Sequence, residues 1–224
     1  MNRDEPDLAP LIEQAQLDPH RGLESVQRCC EEARHFGFAG VCVASRWVEA
    51  ARHHLPREGR GGRRPPALVS VVGFPFGAVP AAVKLAEAES AAAAGADALD
   101  VVPDFGALAD GDSSAVLADL AAICELGLPV RVIVEVARLD PAQLALLVEV
   151  SLDAGARCLK SGCGFGPPVS PSQIGALREL VGSRAGVKAS GGISTSEQAL
   201  SLVEAGATLL GTSRGVALVQ GQRG

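Results

Sequence analysis

The stretch "GARCLK" (Gly155–Lys160) decides how the chain is read, because it occurs three times in related form. "GADALD" (95–100) and "GATLLG" (206–211) share its pattern G-A-x-x-L-x. Each copy follows an Ala- or Leu-containing helical segment: "ESAAAA" (89–94), "EVSLDA" (149–154) and "SLVEA" (201–205). Glycine suits a helix C-terminus, where the backbone turns left-handed, and the residues after it enter a short apolar strand. The sixth position of each copy is therefore a strand end. Those positions hold Asp100, Lys160 and Gly211.

Working outward, the same alternation runs through the chain. Apolar runs recur at "GVCVA" (40–44), "ALVSVVGF" (67–74), "ALDVV" (98–102), "VRVIVEV" (130–136), "RCLK" (157–160), "GVKAS" (186–190) and "TLLG" (208–211). Helical spacing fills about 21–36, 80–94, 113–126, 141–154, 171–181 and 195–205. Near-continuous apolar strands alternating with helices predict a parallel sheet covered on both faces. With "LIEQAQL" (11–17) as a first strand there are eight, which predicts a closed (β/α)8 TIM barrel, one domain over 1–224. An open doubly wound sheet would carry a G-x-G-x-x-G turn after its first strand, and none is present. The segment "RHHLPREGRGGRRPP" (52–66) breaks the rhythm and is expected to be a flexible surface loop.

Composition narrows the function classes. Aromatic residues make up 3 % and Tyr is absent, so Ala, Val, Leu and Gly must build the core. A net charge of −6 argues against a broad nucleic-acid surface. No apolar run reaches the roughly 18 residues of a membrane span, and "MNRDEPDLAP" has no signal-peptide core. Six cysteines without a CxxC read as reduced thiols of a cytoplasmic protein. The four histidines are scattered or placed in the 52–66 segment, so no metal site is expected.

Chemistry concentrates at the strand ends. In a barrel the C-terminal strand ends line the active-site mouth. Lys188, in "GVKASGG", sits on the strand after the one carrying Lys160, and adjacent strands lie about 4.8 Å apart. Two ammonium groups so placed repel, which favours loss of one proton. An ordinary lysine is only about 0.04 % neutral at pH 7, and like charge plus burial raises that fraction. The neutral amine of Lys160 can then attack a carbonyl and form a Schiff base, an electron sink for carbon–carbon bond cleavage. Asp100 is placed to transfer protons through a water. Taken singly, each lysine also fits a structural ion network with Asp100 and Glu135; the combination favours catalysis. "SGG" (190–192) and "GTSRG" (211–215) follow the seventh and eighth strands, where barrels commonly cradle phosphate on backbone N–H groups. Ser190, Thr212 and Ser213 could add hydroxyls there.

These segments resemble one family, the class I deoxyribose-phosphate aldolases. The likeness covers nearly the whole chain and is most specific in "VVGFPFG", "GADALDVVPDFGAL", "RVIVEVARL", "CLKSGCGFG", "VKASGGISTSEQAL" and "AGATLLGTSRGVAL". The resemblance implies Lys160 as the Schiff-base lysine, Lys188 as the lysine that perturbs it, and Asp100 as the acid. It implies phosphate binding by Gly164, Gly191, Gly192, Thr212 and Ser213. The implied reaction is reversible cleavage of 2-deoxy-D-ribose 5-phosphate to D-glyceraldehyde 3-phosphate and acetaldehyde, with neither metal nor cofactor and a small aldehyde or sugar phosphate as partner. A homodimer is the assembly expected.

The chain departs from the family pattern in the polar shell. Ser161-Gly162-Cys163 stands where Thr-Ser-Thr is usual, Phe76 where GFPHG has His, and Val136 where Thr is common. Ser194 stands where GGIRT has Arg, and Asp104 where Asn is common. Glu13, Gln14 and Ala15 stand in the first-strand I-D-H-T pattern, and Ala44 and Ser45 in VCVNP. Phe76 and Val136 are expected to make the mouth less polar. Two alternatives therefore stay open: the same lysine chemistry on another carbonyl compound, or a barrel that binds a sugar phosphate or a partner without turnover.

Overall fold

The computed structural model describes residues 6–58 and 64–223. Eight parallel strands close on themselves in chain order: β1 (Ile12–Gln16), β2 (Gly40–Val43), β3 (Ala67–Val72), β4 (Ala98–Val101), β5 (Val130–Ile133), β6 (Cys158–Lys160), β7 (Gly186–Ser190) and β8 (Leu209–Thr212). Around them run α1 (Leu23–Phe36), α2 (Val48–His54), α3 (Ala81–Ala93), α4 (Phe105–Ala109), α5 (Ser113–Cys124), α6 (Pro141–Asp153), α7 (Pro171–Val181), α8 (Ser196–Glu204) and α9 (Gly215–Arg223). This is the (β/α)8 TIM barrel that the alternation predicts.

Strand parity divides the core in two. Side chains alternate across a strand. Val41, Val43, Leu68, Val72, Leu99, Val101, Val132, Leu159 and Val187 pack outward in one cluster with the helices. Cys42, Val69, Val71 and Ala98 form a separate small cluster inside the barrel. The interior thus has few apolar residues, which leaves room for charge at its upper end.

The repeat is visible in the backbone. Gly95, Gly155 and Gly206 each follow a helix with φ of 101°, 100° and 109°, the left-handed region that favours glycine. The helices start on chemistry suited to them. Asp140, Ser170 and Thr195 form capping boxes with Gln143, Gln173 and Gln198, and Pro141 and Pro171 open α6 and α7.

Two expected strands end early for local reasons. The run 67–74 stops at Val72 because Gly73 takes φ 65°; the run 130–136 stops at Ile133, two residues before Glu135 at φ 46°. The expectation of a flexible loop over 52–66 is corrected at its start. Residues 52–54 complete α2, where Arg52 donates to the Gly95 carbonyl at 3.0 and 2.8 Å and pairs with Asp97. That part of the basic run pins α2 to the entry of β4, and Leu55 behind it is buried. His53 and His54 accordingly sit at a helix end. Residues 59–63 lie outside the described residues. Among the described residues, no helix is long and apolar enough to cross a membrane.

Candidate active site

Barrel closure brings the repeat's variable positions together. Lys160 ends β6 and pairs in register with Lys188 on β7. Lys160 Nζ donates to Asp100 Oδ2 at 2.9 Å, and Lys188 Nζ donates to the same oxygen at 2.7 Å. The third copy contributes by omission. Gly211 pairs with Ser190 on one side and Glu13 on the other. A Cβ there would lie 3.0 Å from Lys188 Cε, so glycine leaves the space through which Lys188 reaches Glu13 on β1.

Two members of this cluster do not stand out as functional in the sequence. Glu13 accepts from Lys188 and, at 2.7 Å, from Arg131; Arg131 also donates to Asp100 Oδ1 at 3.3 Å. The one signal is a charged residue at the inward parity of an apolar strand, since Arg131 pairs with Asp100 in the β4–β5 register. Glu13, Asp100, Lys160 and Lys188 are all buried.

The charges sort themselves by their neighbours. Burial alone would raise the Asp100 carboxyl; the Lys160 and Lys188 ammonium groups and the Arg131 guanidinium outweigh it and hold Asp100 well below the usual carboxylate range. Burial alone would lower Lys188; the Asp100 and Glu13 carboxylates outweigh it and hold Lys188 as a cation above the usual lysine range. Arg131 is likewise raised, against burial, by Glu13 and Asp100.

Above the cluster opens a pocket of about 730 Å³. Lys160 and Lys188 line it, while Asp100 lies beneath them. All five sequence-predicted phosphate residues, Gly164, Gly191, Gly192, Thr212 and Ser213, line the same pocket. The Thr212 hydroxyl is already committed: it donates to the Ile193 carbonyl at 2.9 Å and accepts from the Arg214 N–H at 2.9 Å, joining the loops after β7 and β8. The Ser190 hydroxyl donates to the Gly162 carbonyl. Ser213 is exposed. Ser161 ties β6 to β7, donating to the Ser190 carbonyl and accepting its N–H, both at 2.9 Å.

Gly192 is at φ 71°, and a Cβ on it would fall 2.7 Å from Pro168 Cβ, a ring atom that cannot swing aside. Replacing Gly192 with alanine is expected to cost about 1–3 kcal/mol and to raise KM for a phosphorylated substrate. Denaturant titration alongside steady-state kinetics checks both; an unchanged midpoint and KM would show that the turn tolerates a side chain.

The less polar wall comes from residues other than those expected. Phe76 is 66 % exposed and outside the pocket lining, and Val136 packs into the outer core. Instead Phe165 lines the pocket, its ring 5.8 Å from that of Phe74, which lies 6.0 Å from Lys160 Nζ. Asp104 caps α4 by accepting from Gly106 and Ala107 N–H groups. Glu135 turns its carboxylate onto the Cys163 N–H and so holds the glycine-rich segment after Lys160.

Cys42 lines the pocket yet is only 2 % exposed. Burial, seconded by the Asp100 charge, pushes its thiol up to about 11. At pH 7.5 native Cys42 should react with iodoacetamide at least about 100-fold more slowly than a free cysteine, because the thiolate is the reactive form. Peptide mass mapping after a timed quench reads this; labelling as fast in native as in denatured protein would contradict it.

A closed parallel barrel whose strand ends gather two lysines on one carboxylate, beneath a glycine-lined pocket, defines a (β/α)8 aldolase. The chain belongs to the deoxyribose-phosphate aldolase family: it is 44 % identical over 215 residues to the deoxyribose-phosphate aldolase of Thermosynechococcus vestitus, covering 96 % of each chain. It is 39 % identical over 222 residues to that of Thermococcus gammatolerans, covering 97 % of each. Among solved structures it matches the tetrameric deoxyribose phosphate aldolase of Aeropyrum pernix with a TM-score of 0.85 and 33 % identity, covering 96 % of this chain and 91 % of that one. It also matches the aldolase QR15 with a TM-score of 0.88 and 29 % identity, over 96 % and 95 % of the two chains. No protein-family profile matches the chain.

Proposed function

We propose that this protein cleaves 2-deoxy-D-ribose 5-phosphate reversibly to D-glyceraldehyde 3-phosphate and acetaldehyde through a Schiff base on Lys160. The observation that carries the reading is the sharing of one Asp100 oxygen by Lys160 and Lys188 at the floor of the pocket. Three cations (Lys160, Lys188, Arg131) face two carboxylates (Glu13, Asp100) in the buried cluster. That cluster is neutral when one amine has lost its proton. Arg131 stays charged, and Lys188 contacts two carboxylates, Glu13 shared with Arg131 and Asp100 shared with Lys160. The amine left to act as nucleophile is Lys160.

In this mechanism Lys160 Nζ adds to C1 of the open-chain sugar and water leaves, giving an iminium. The C3 hydroxyl passes its proton through the released water to the Asp100 carboxylate, the C2–C3 bond breaks, and its electrons flow into the iminium to form an enamine. Glyceraldehyde 3-phosphate departs as its aldehyde. Protonation at C2 and hydrolysis then release acetaldehyde and free Lys160. Lys188, charged and lining the pocket beside Lys160, is the proton donor, and Asp100 relays protons between the two amines. The iminium is itself the electron sink, so the chemistry calls for neither metal nor organic cofactor. Gly164, Gly191, Gly192 and Ser213 receive the phosphate, with Thr212 shaping the turn.

The test is release of acetaldehyde from 2-deoxyribose 5-phosphate, followed by coupled reduction. Absence of turnover, while other aldol adducts are cleaved, would move the assignment to another carbonyl substrate; the Phe165 wall favours a less polar one. We read residues 1–224 as one barrel domain, the assembly as a homodimer, to be measured by light scattering, and the six free thiols as fitting the cytoplasm.

A further inference from the structure

The phosphate end of the pocket lacks a cation where the family pattern has one. Position 194, Arg in the GGIRT pattern, is Ser194 here. Ser194 lines the pocket, but its N–H and hydroxyl both donate to Gln198 Oε1, at 3.0 and 3.1 Å. The loop after β7 therefore offers glycine backbone and no charge. Lys160 and Lys188 are held in the cluster below, and His20 lies beside Asp18 at 3.3 Å. A phosphate monoester carries about −1.5 to −2 charge near pH 7, which backbone N–H groups offset only in part.

Among the described residues that line this pocket, one guanidinium remains. Arg214 lines the same pocket and is exposed. Its backbone N–H is fixed on the Thr212 hydroxyl. Its side chain makes no hydrogen bond or ion pair among the described residues, whereas Arg21 on the adjacent loop after β1 pairs with Asp18. The Thr212 hydroxyl that holds Arg214 also holds the Ile193 carbonyl at 2.9 Å. Positions 194 and 214 thus leave the backbone on either side of one hydroxyl, next to Gly191 and Gly192 at φ 110° and 71°. We infer that Arg214 supplies, from the loop after β8, the phosphate-binding charge that position 194 lacks. The binding cation has moved to the neighbouring loop while the glycine turns stay in place. An arginine fork takes two phosphate oxygens at once, which suits a residue acting almost alone.

This inference rests on the proposed substrate class, and the experiment separates the two. Steady-state constants are measured on 2-deoxyribose 5-phosphate and on unphosphorylated 2-deoxyribose for the native protein, Arg214→Ala and Arg214→Ala with Ser194→Arg. Binding of inorganic phosphate to each is measured by calorimetry. Arg214→Ala should raise KM for the phosphorylated sugar about 10- to 100-fold, the range of a lost charge-assisted contact, with a much smaller change in kcat. The preference for the phosphorylated over the plain sugar should fall by the same factor. Adding Ser194→Arg should recover about tenfold of it, which a structural role for Arg214 would not predict. Equal loss on both sugars, or unchanged phosphate binding in Arg214→Ala, would overturn the inference. A native protein that turns over neither sugar yet binds phosphate through Arg214 would overturn the proposed reaction and leave this inference standing.

Discussion

Replacing Lys160 with leucine is expected to abolish covalent trapping and to lower kcat by about 10⁴-fold or more, while the protein stays folded. The loss follows from chemistry: among the described residues no other amine lies at the pocket floor free of a second carboxylate, because Lys188 is committed to Glu13 as well as Asp100. Without the amine there is no iminium, and the C2–C3 bond has no electron sink. The retained fold follows from charge. Removing Lys160 leaves Lys188 and Arg131 against Glu13 and Asp100, two cations and two anions with every contact between them intact. A leucine ends two atoms short of the amine it replaces and brings no charge of its own into the buried cluster. Borohydride reduction in the presence of acetaldehyde should fix the two-carbon adduct on the peptide containing Lys160 in the native protein and on none in the variant. An adduct that persists, on Lys188 or elsewhere, would remove Lys160 from the role of nucleophile. Unchanged circular dichroism and thermal midpoint would show that the loss is chemical.

Much of this is legible in the sequence because the barrel repeats itself. The glycine of each G-A-x-x-L-x copy marks a helix end, and all three take φ near 100°. The copies therefore locate β4, β6 and β8 and the face on which their sixth residues emerge. Lys160, Lys188 and Asp100 stand out because burying a charge at the end of an apolar strand is costly unless it is paired or put to use. Glu13 and Arg131 escape notice for a different reason. Glu13 meets Lys188 across 175 positions of chain, a contact that exists only because β8 closes onto β1. Arg131 needs the inward parity of β5, and an apolar run buried on both faces carries no alternation to reveal it. α2, at seven residues, ends in "RHH" and merges with a glycine-rich segment, so its pattern is too short to stand out. α9, at nine residues, begins on Gly215 and contains Gly221, neither a helix former. The polar shell misleads most. Phe76 and Val136 occupy family positions near the mouth, yet neither lines the pocket, because position along a motif says nothing about which way a loop residue turns.

Asp100→Asn is expected to have the opposite signature to Lys160→Leu, damaging stability as well as rate. Asp100 is fully buried and takes hydrogen bonds from Lys160, Lys188 and Arg131. An amide in its place leaves three cations facing Glu13 alone, two uncompensated charges in a buried site if both amines stay protonated. Removing one partner of a buried ionic cluster costs about 3–5 kcal/mol, visible as a lower denaturation midpoint in urea. The pH dependence has a definite sign. The Asp100 carboxyl is held below its ordinary value in the folded protein, so its contribution is present above the unfolded value of about 3.9 and fades only as pH falls through the lower, folded value. The deficit of the variant should accordingly be full at pH 5 to 8 and shrink in acid, where the native protein loses the same contribution. Lys188 is raised in the native protein, so its contribution is present at neutral pH and lost only in strong alkali. Without Asp100, one of its two supporting carboxylates is gone, and alkaline buffer should narrow the gap from the other side by letting an amine shed its proton. Turnover should fall about 10²- to 10⁴-fold, because the bridge that passes protons between the amines is broken. Asp100→Glu keeps the charge and should recover most of the stability but less of the rate, since the longer side chain cannot hold both amines on one oxygen. An Asp100→Asn protein as stable as the native one across pH 5 to 8 would mean that the buried cations do not depend on this carboxylate.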